Sequence, residues 1–205
     1  WTWIEAADEA APAARAALDA GDYDLDRVVA WLRAGPPPRP IDADRGPWTT
    51  VATALPDGRE RDAVLRIPDD GASWDGRHPL IVELHGGVGV AEPRPIGDMQ
   101  EVEYAIVGDR TDDTFYLQPR ATRDAMWLDP QGSAHVEAAI RAVCARFPID
   151  RNRIYLTGFS DGGAGAYYFA ATRPGLFAGV LPLNGHPLFA QRGGTQIHLR
   201  NLRNV

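Results

Sequence analysis

The sequence predicts an α/β protein in which a mostly parallel sheet is flanked by helices. Three observations carry that reading. Short apolar runs of strand length alternate with helix-period segments through the second half of the chain, glycine-rich turns close two of those runs, and a serine stands on one such turn between a strand and a helix.

Composition narrows the class further. A chain of 205 residues, 44% hydrophobic and 24% charged, is sufficient for one main core. Its formal net charge of −7 excludes a surface built to hold phosphates, so no nucleic-acid partner is expected. The only cysteine, Cys144, has no partner for an internal disulfide. It sits in an apolar helical pattern, which reads as a small core residue and not a nucleophile. No Cys/His cluster has zinc-ligand spacing, so neither a metal nor another cofactor is expected. No apolar run approaches a bilayer span, and a soluble protein is expected, cytoplasmic or exported with its leader removed. The chain begins at Trp1 without a Met, which leaves an upstream leader or domain open, as it leaves the oligomeric state.

The elements are expected in the following order. Residues 1–40 read as a helical extension and a proline-rich linker: an Ala-rich helix up to Gly21, a second with Leu25, Val28, Val29 and Leu32 on one face, and then Pro36–Pro40, extended because each ring fixes φ and removes a donor. Residues 41–205 read as one α/β domain. Within it, Trp48–Ala54 and Asp62–Ile67 form a hairpin about the turn residues Pro56-Asp57-Gly58. Leu80–Leu84 is an apolar strand that ends at His85-Gly86-Gly87, where the backbone must bend. A short strand follows at Thr114–Leu117, then a helix marked by Val136, Ile140, Val143 and Phe147 and stopped by Pro148. Ile154–Thr157 is the next strand, Gly162–Thr172 the next helix and Gly179–Leu183 the strand after it. Such alternation implies parallel strands with helices on both faces of the sheet.

The residues that carry chemistry are Gly158-Phe159-Ser160-Asp161-Gly162-Gly163. They fit the G-x-S-x-G pattern in its expected strand-to-helix context. A serine on so tight a turn has strained backbone angles and an outward hydroxyl, and its flanking glycines avoid collisions that a Cβ would make. The helix N-terminus beside it favours negative charge, which makes the Asp161 amide a natural oxyanion donor. The Asp161 side chain is expected to leave the elbow and cap the helix. A bare glycine-rich turn with an N-capping serine is the bland alternative. His85-Gly86-Gly87 is a second, independent signal: the amides of Gly86 and Gly87 are candidates for the other donor, with His85 a structural hydrogen-bonding residue.

The strand ending Leu84-His85-Gly86-Gly87, together with Asp150 to Gly163, resembles the α/β-hydrolase superfamily, with polyhydroxybutyrate-depolymerase-like esterases and prolyl-oligopeptidase-like hydrolases as its nearest look-alikes. Phe177 to Gly185 is similar to that superfamily's sixth strand. The likeness runs over roughly residues 50–205. It implies a three-layer sandwich, Ser160 as nucleophile, and Gly86, Gly87 and Asp161 as main-chain oxyanion donors. It also offers Trp127 as a wall of the acyl or leaving-group pocket, against a plain core role. No cofactor is implied, and the partner is a small ester or peptide substrate.

The pattern breaks after the elbow. The superfamily's order is nucleophile, acid, histidine, yet Gly162 to Val205 holds no Asp or Glu, and its only histidines are His186 and His198. His186, after the sixth strand, is the best candidate base in the chain. Gln196–Val205 reads as the approach to a seventh strand, so an incomplete hydrolase domain that lacks its last strands is expected. Three readings stay open: an ester hydrolase acting through an acyl-enzyme, a serine peptidase on the same machinery, and a non-catalytic binding module.

Overall fold

The computed structural model describes residues 48–68, 77–95, 113–187 and 199–204, together with Asp26. The chain divides into two units, Trp1–Arg39 and Pro40–Val205, and apart from Asp26 every described residue belongs to the second. The helices and proline linker expected in residues 1–40 lie outside the described residues.

Among the described residues, six strands form one sheet. In chain order they are β1 (Trp48–Ala54), β2 (Glu60–Arg66), β3 (His78–Leu84), β4 (Phe115–Pro119), β5 (Ile149–Phe159) and β6 (Gly179–Leu183). Helix α1 (Pro130–Arg146) precedes β5 and helix α2 (Asp161–Thr172) follows it. The order across the sheet is β1-β2-β4-β3-β5-β6. The pairs β4/β3, β3/β5 and β5/β6 are parallel, and β1/β2 and β2/β4 antiparallel, giving the mostly parallel sheet expected. The hairpin turns where the Pro-Asp-Gly sequence requires: Gly58 takes φ 84°, and its N–H reaches Leu55 O at 2.9 Å.

The core lies on one face of the sheet. Leu80, Val82 and Leu84 of β3 alternate onto that face and meet Leu65, Phe115, Leu117, Ile154 and Leu156 from their neighbours. Val136, Ala139, Ile140 and Val143 of α1 close over them, at about 1.5–3 kcal/mol for each large aliphatic side chain buried. Helix α2 meets the same face through Gly162, Gly163, Ala164, Gly165 and Ala166, whose small size lets helix and sheet come close. Both described α-helices therefore pack on this face of the sheet. On the other face Glu83 and Gln118 are buried and hydrogen-bonded to each other at 2.9 Å, while Tyr155, Phe159 and Leu181 are exposed.

Other boundaries also moved. β5 starts at Ile149 and not Ile154, because its first half is polar and pairs without an apolar signature; Arg153 there closes an ion pair with Asp150 at 2.8 Å. Leu199–Asn204, expected as the approach to a strand, is a 3-10 helix tied to the end of α2 by Asn201 Nδ2 donating to Ala171 O at 2.6 Å. Cys144 is buried, and burial pushes its thiol up to about 11, in keeping with a core residue.

A buried histidine pins α1 to the hairpin. His135 Nδ1 donates to Thr53 Oγ1 at 2.7 Å, that hydroxyl donates to Arg61 O at 2.9 Å, and His135 Nε2 accepts the Arg120 N–H at 3.3 Å. Replacing it, as His135→Leu, leaves the Arg120 amide without its acceptor in a dry place. We expect a loss of about 2 kcal/mol, read as a lower urea midpoint with an unchanged slope.

Candidate active site

The elbow is a backbone construction. β5 ends at Phe159, α2 begins at Asp161, and Ser160 between them is held at φ 55°, ψ −113°. A positive φ is uncommon outside glycine and costs free energy that the surroundings must over-determine. They do so through main-chain bonds: Ser160 N–H donates to Leu183 O of β6 at 2.9 Å, and Ser160 O accepts the Ala164 N–H at 3.0 Å. The crossing is so close that a Cβ at Gly162 falls 1.7 Å from Leu84 O, and one at Gly158 falls 2.3 Å from Gly162 O. Only glycine fits there.

The glycine loop lies against the elbow. A Cβ at Gly86 falls 3.0 Å from Phe159 O and 3.1 Å from Ser160 Cβ, so the glycine loop and Ser160 lie side by side. Gly87 takes φ 68°. Its N–H, however, donates to Asp161 Oδ2 at 3.0 Å, and the Val88 N–H donates to the same oxygen at 3.2 Å. The Asp161 side chain thus does not cap α2, as the sequence reading had it. It turns back to the loop and engages one of the two amides singled out there.

His85 is a fixture of this loop. Its Nε2 accepts the Ala121 N–H at 3.0 Å, and its Nδ1 donates to Gly86 O at 2.9 Å, a pattern met by the neutral ring protonated on Nδ1. Burial, opposed in part by the bond to Gly86, brings its pKa down to about 4. The ring is thus occupied on both nitrogens and 4% exposed. Trp127 is 1% exposed, donates Nε1–H to His85 O at 2.9 Å, and meets the His85 ring edge-on with centroids 5.0 Å apart. That places it in the core, as a prop beneath the loop and not as a pocket wall. Sequence reading missed Arg94, whose Nη2 donates to Gly86 O at 2.9 Å; a lone arginine in a loop carries no motif.

His186 is exposed on the loop after β6, at the sheet end that carries Ser160. Among the described residues no hydrogen bond joins it, or any acidic side chain, to the Ser160 hydroxyl. His198 lies outside them. Among the described residues there is also no group of three His, Cys, Asp or Glu able to hold a metal, and no helix long and apolar enough to cross a membrane.

With the fold and site in view, the comparisons with known proteins are consistent. The arrangement is part of an α/β-hydrolase fold. A solved thermostable esterase superposes with a TM-score of 0.56 at 28% identity, over 68% of this chain and 41% of that one. An S-formylglutathione hydrolase from Staphylococcus aureus, at 16% identity, shares the fold with a TM-score of 0.52 over 77% of this chain and 64% of its own. Among curated sequences, a probable feruloyl esterase C of Aspergillus niger is 28% identical over 149 residues, and its counterpart in Aspergillus clavatus 28% over 138. These alignments cover 71% and 65% of this chain and 54% and 49% of the relatives, so the chain spans about half the length of the curated proteins it matches. No family model matches.

Two outcomes test this geometry. Gly162→Ala drives a methyl into Leu84 O, and an unfolding free energy lower by about 3 kcal/mol is expected. Acid should also weaken the fold. His85 and His135 have pKa values of about 4 and about 3 in the folded chain, against an ordinary 6.5. The unfolded chain therefore binds protons first, so their contribution is complete above 6.5 and is lost as pH falls from there, toward about 4 for His85 and about 3 for His135. Urea midpoints across that interval should decline, and less steeply in His135→Leu.

Proposed function

We propose that this chain carries the nucleophile and oxyanion side of a serine hydrolase acting on carboxylic esters, with Ser160 forming the acyl-enzyme. The observation that carries this reading is the positive-φ serine on a strand-to-helix turn with a glycine loop packed against it. Its Oγ attacks the ester carbonyl and expels the alcohol, and water then releases the acid. Charge developing on the carbonyl oxygen is met by main-chain amides: that of Asp161, the first residue of α2, where the helix dipole adds to it, and that of Gly86, since the Gly87 amide is given to Asp161 Oδ2. One such donor is typically worth about 3 kcal/mol of barrier.

The base is a separate question. His85 and His135 are excluded by their double hydrogen bonds and low pKa values. His186, three residues beyond the Leu183 carbonyl that holds the Ser160 amide, is the candidate on this chain. Esters are favoured over peptides because the curated relatives are named feruloyl esterases, which also makes a feruloyl ester the first substrate to try.

Fluorophosphonate labelling tests the nucleophile. A covalent adduct on the wild type that is absent from Ser160→Ala is expected, and labelling that survives the substitution removes the reading. Parallel assays on methyl ferulate, p-nitrophenyl esters and short peptide amides should show turnover on the esters alone, reduced by about 100-fold or more in His186→Ala if that residue is the base.

A further inference from the structure

The peptide group between Gly86 and Gly87 is gripped from both ends. Its carbonyl accepts from His85 Nδ1 at 2.9 Å and from Arg94 Nη2 at 2.9 Å, while its N–H donates to Asp161 Oδ2 at 3.0 Å. A peptide between two glycines, one at φ 68°, has little intrinsic preference against turning over. Its orientation is therefore set by these partners, and the carboxylate of Asp161 is the one that reaches it from the elbow.

We propose that Asp161 is a positioning residue as well as a main-chain donor: its side chain fixes the glycine loop against Ser160 and so sets the oxyanion site. This rests on Ser160 being the nucleophile. Asp161 begins α2 immediately after the nucleophile, so its carboxylate moves with the elbow, and holding Gly87 keeps the neighbouring Gly86 beside Ser160 Cβ. The alternative use of a carboxylate here is as a plug, occupying an amide that a substrate oxygen needs. The second bond argues against that. The same oxygen takes the N–H of Val88, a residue 1% exposed and anchored in the core, so the contact ties the elbow to a fixed point and not to a swinging loop. Arg120 reinforces the far side by donating Nη1–H to Arg94 O at 3.0 Å, which holds the segment whose guanidinium grips the Gly86 carbonyl.

The 205-residue chain and its Asp161→Asn and Asp161→Ala variants separate the two roles when amide hydrogen exchange at Gly87 and Val88 is measured beside the rate of fluorophosphonate labelling. In Asp161→Ala we expect protection to be lost at both amides and labelling to slow by about tenfold or more, whereas Asp161→Asn, whose side-chain oxygen still accepts, keeps its protection and labels within about threefold of wild type. Unchanged protection in Asp161→Ala overturns the clamp. Faster labelling in that variant overturns it in favour of a plug, and equal slowing in both variants overturns it in favour of the charge alone. A wild-type chain that takes no label on Ser160 removes the nucleophile reading instead, and the exchange data then still decide whether Asp161 holds the loop.

Discussion

The close crossing of main chain at the elbow is the constraint on which the rest of the site depends. β3, β5 and the first turn of α2 come together so tightly that Gly158 and Gly162 have no room for a methyl group, Leu84 O being the nearest obstacle to the latter. That contact holds Ser160 in a conformation a serine seldom adopts, and it brings the end of β3, with its glycine loop, alongside Ser160. Helix packing follows from the same demand. The small residues that open α2 let it lie on Leu84 and Trp127, and Trp127 in turn supports the His85 carbonyl.

Around that crossing the polar groups are arranged to remove choices. His85 is neutral and committed on both ring nitrogens, and His135 is likewise committed between Thr53 and the Arg120 amide. Both are buried, which favours their uncharged forms and leaves them poor proton acceptors near neutral pH. His85 and His135 are thus structural ties, each tying its own element to a neighbouring loop or strand.

Much of this was legible in the residues. The turn at Pro56-Asp57-Gly58, the apolar run of β3 and the Gly-x-Ser-x-Gly sequence each have a local cause, and each predicted its element to within a few residues. What the sequence hid depends on partners distant along the chain. The polar first half of β5 has no apolar alternation because its side chains face solvent or ion pairs, and the 3-10 helix at Leu199–Asn204 has no period of its own. The direction of the Asp161 side chain was misread for a similar reason: an acidic residue at a helix start reads as a cap until a loop 74 residues away supplies two better donors. Trp127 shows the ordinary ambiguity of a large aromatic, resolved by an exposure of 1%.

The Ser160 turn is secured by carbonyl and amide groups and by the absence of side chains at its glycines, and this separates two kinds of change that a lineage or an engineer makes. A side chain that does not touch the crossing is free to be exchanged without disturbing the bend, whereas one methyl at Gly158 or Gly162 meets a backbone oxygen. Tolerance to change is then divided between different letters of the sequence: one set open to exchange, the other nearly silent in chemistry and intolerant of a single carbon.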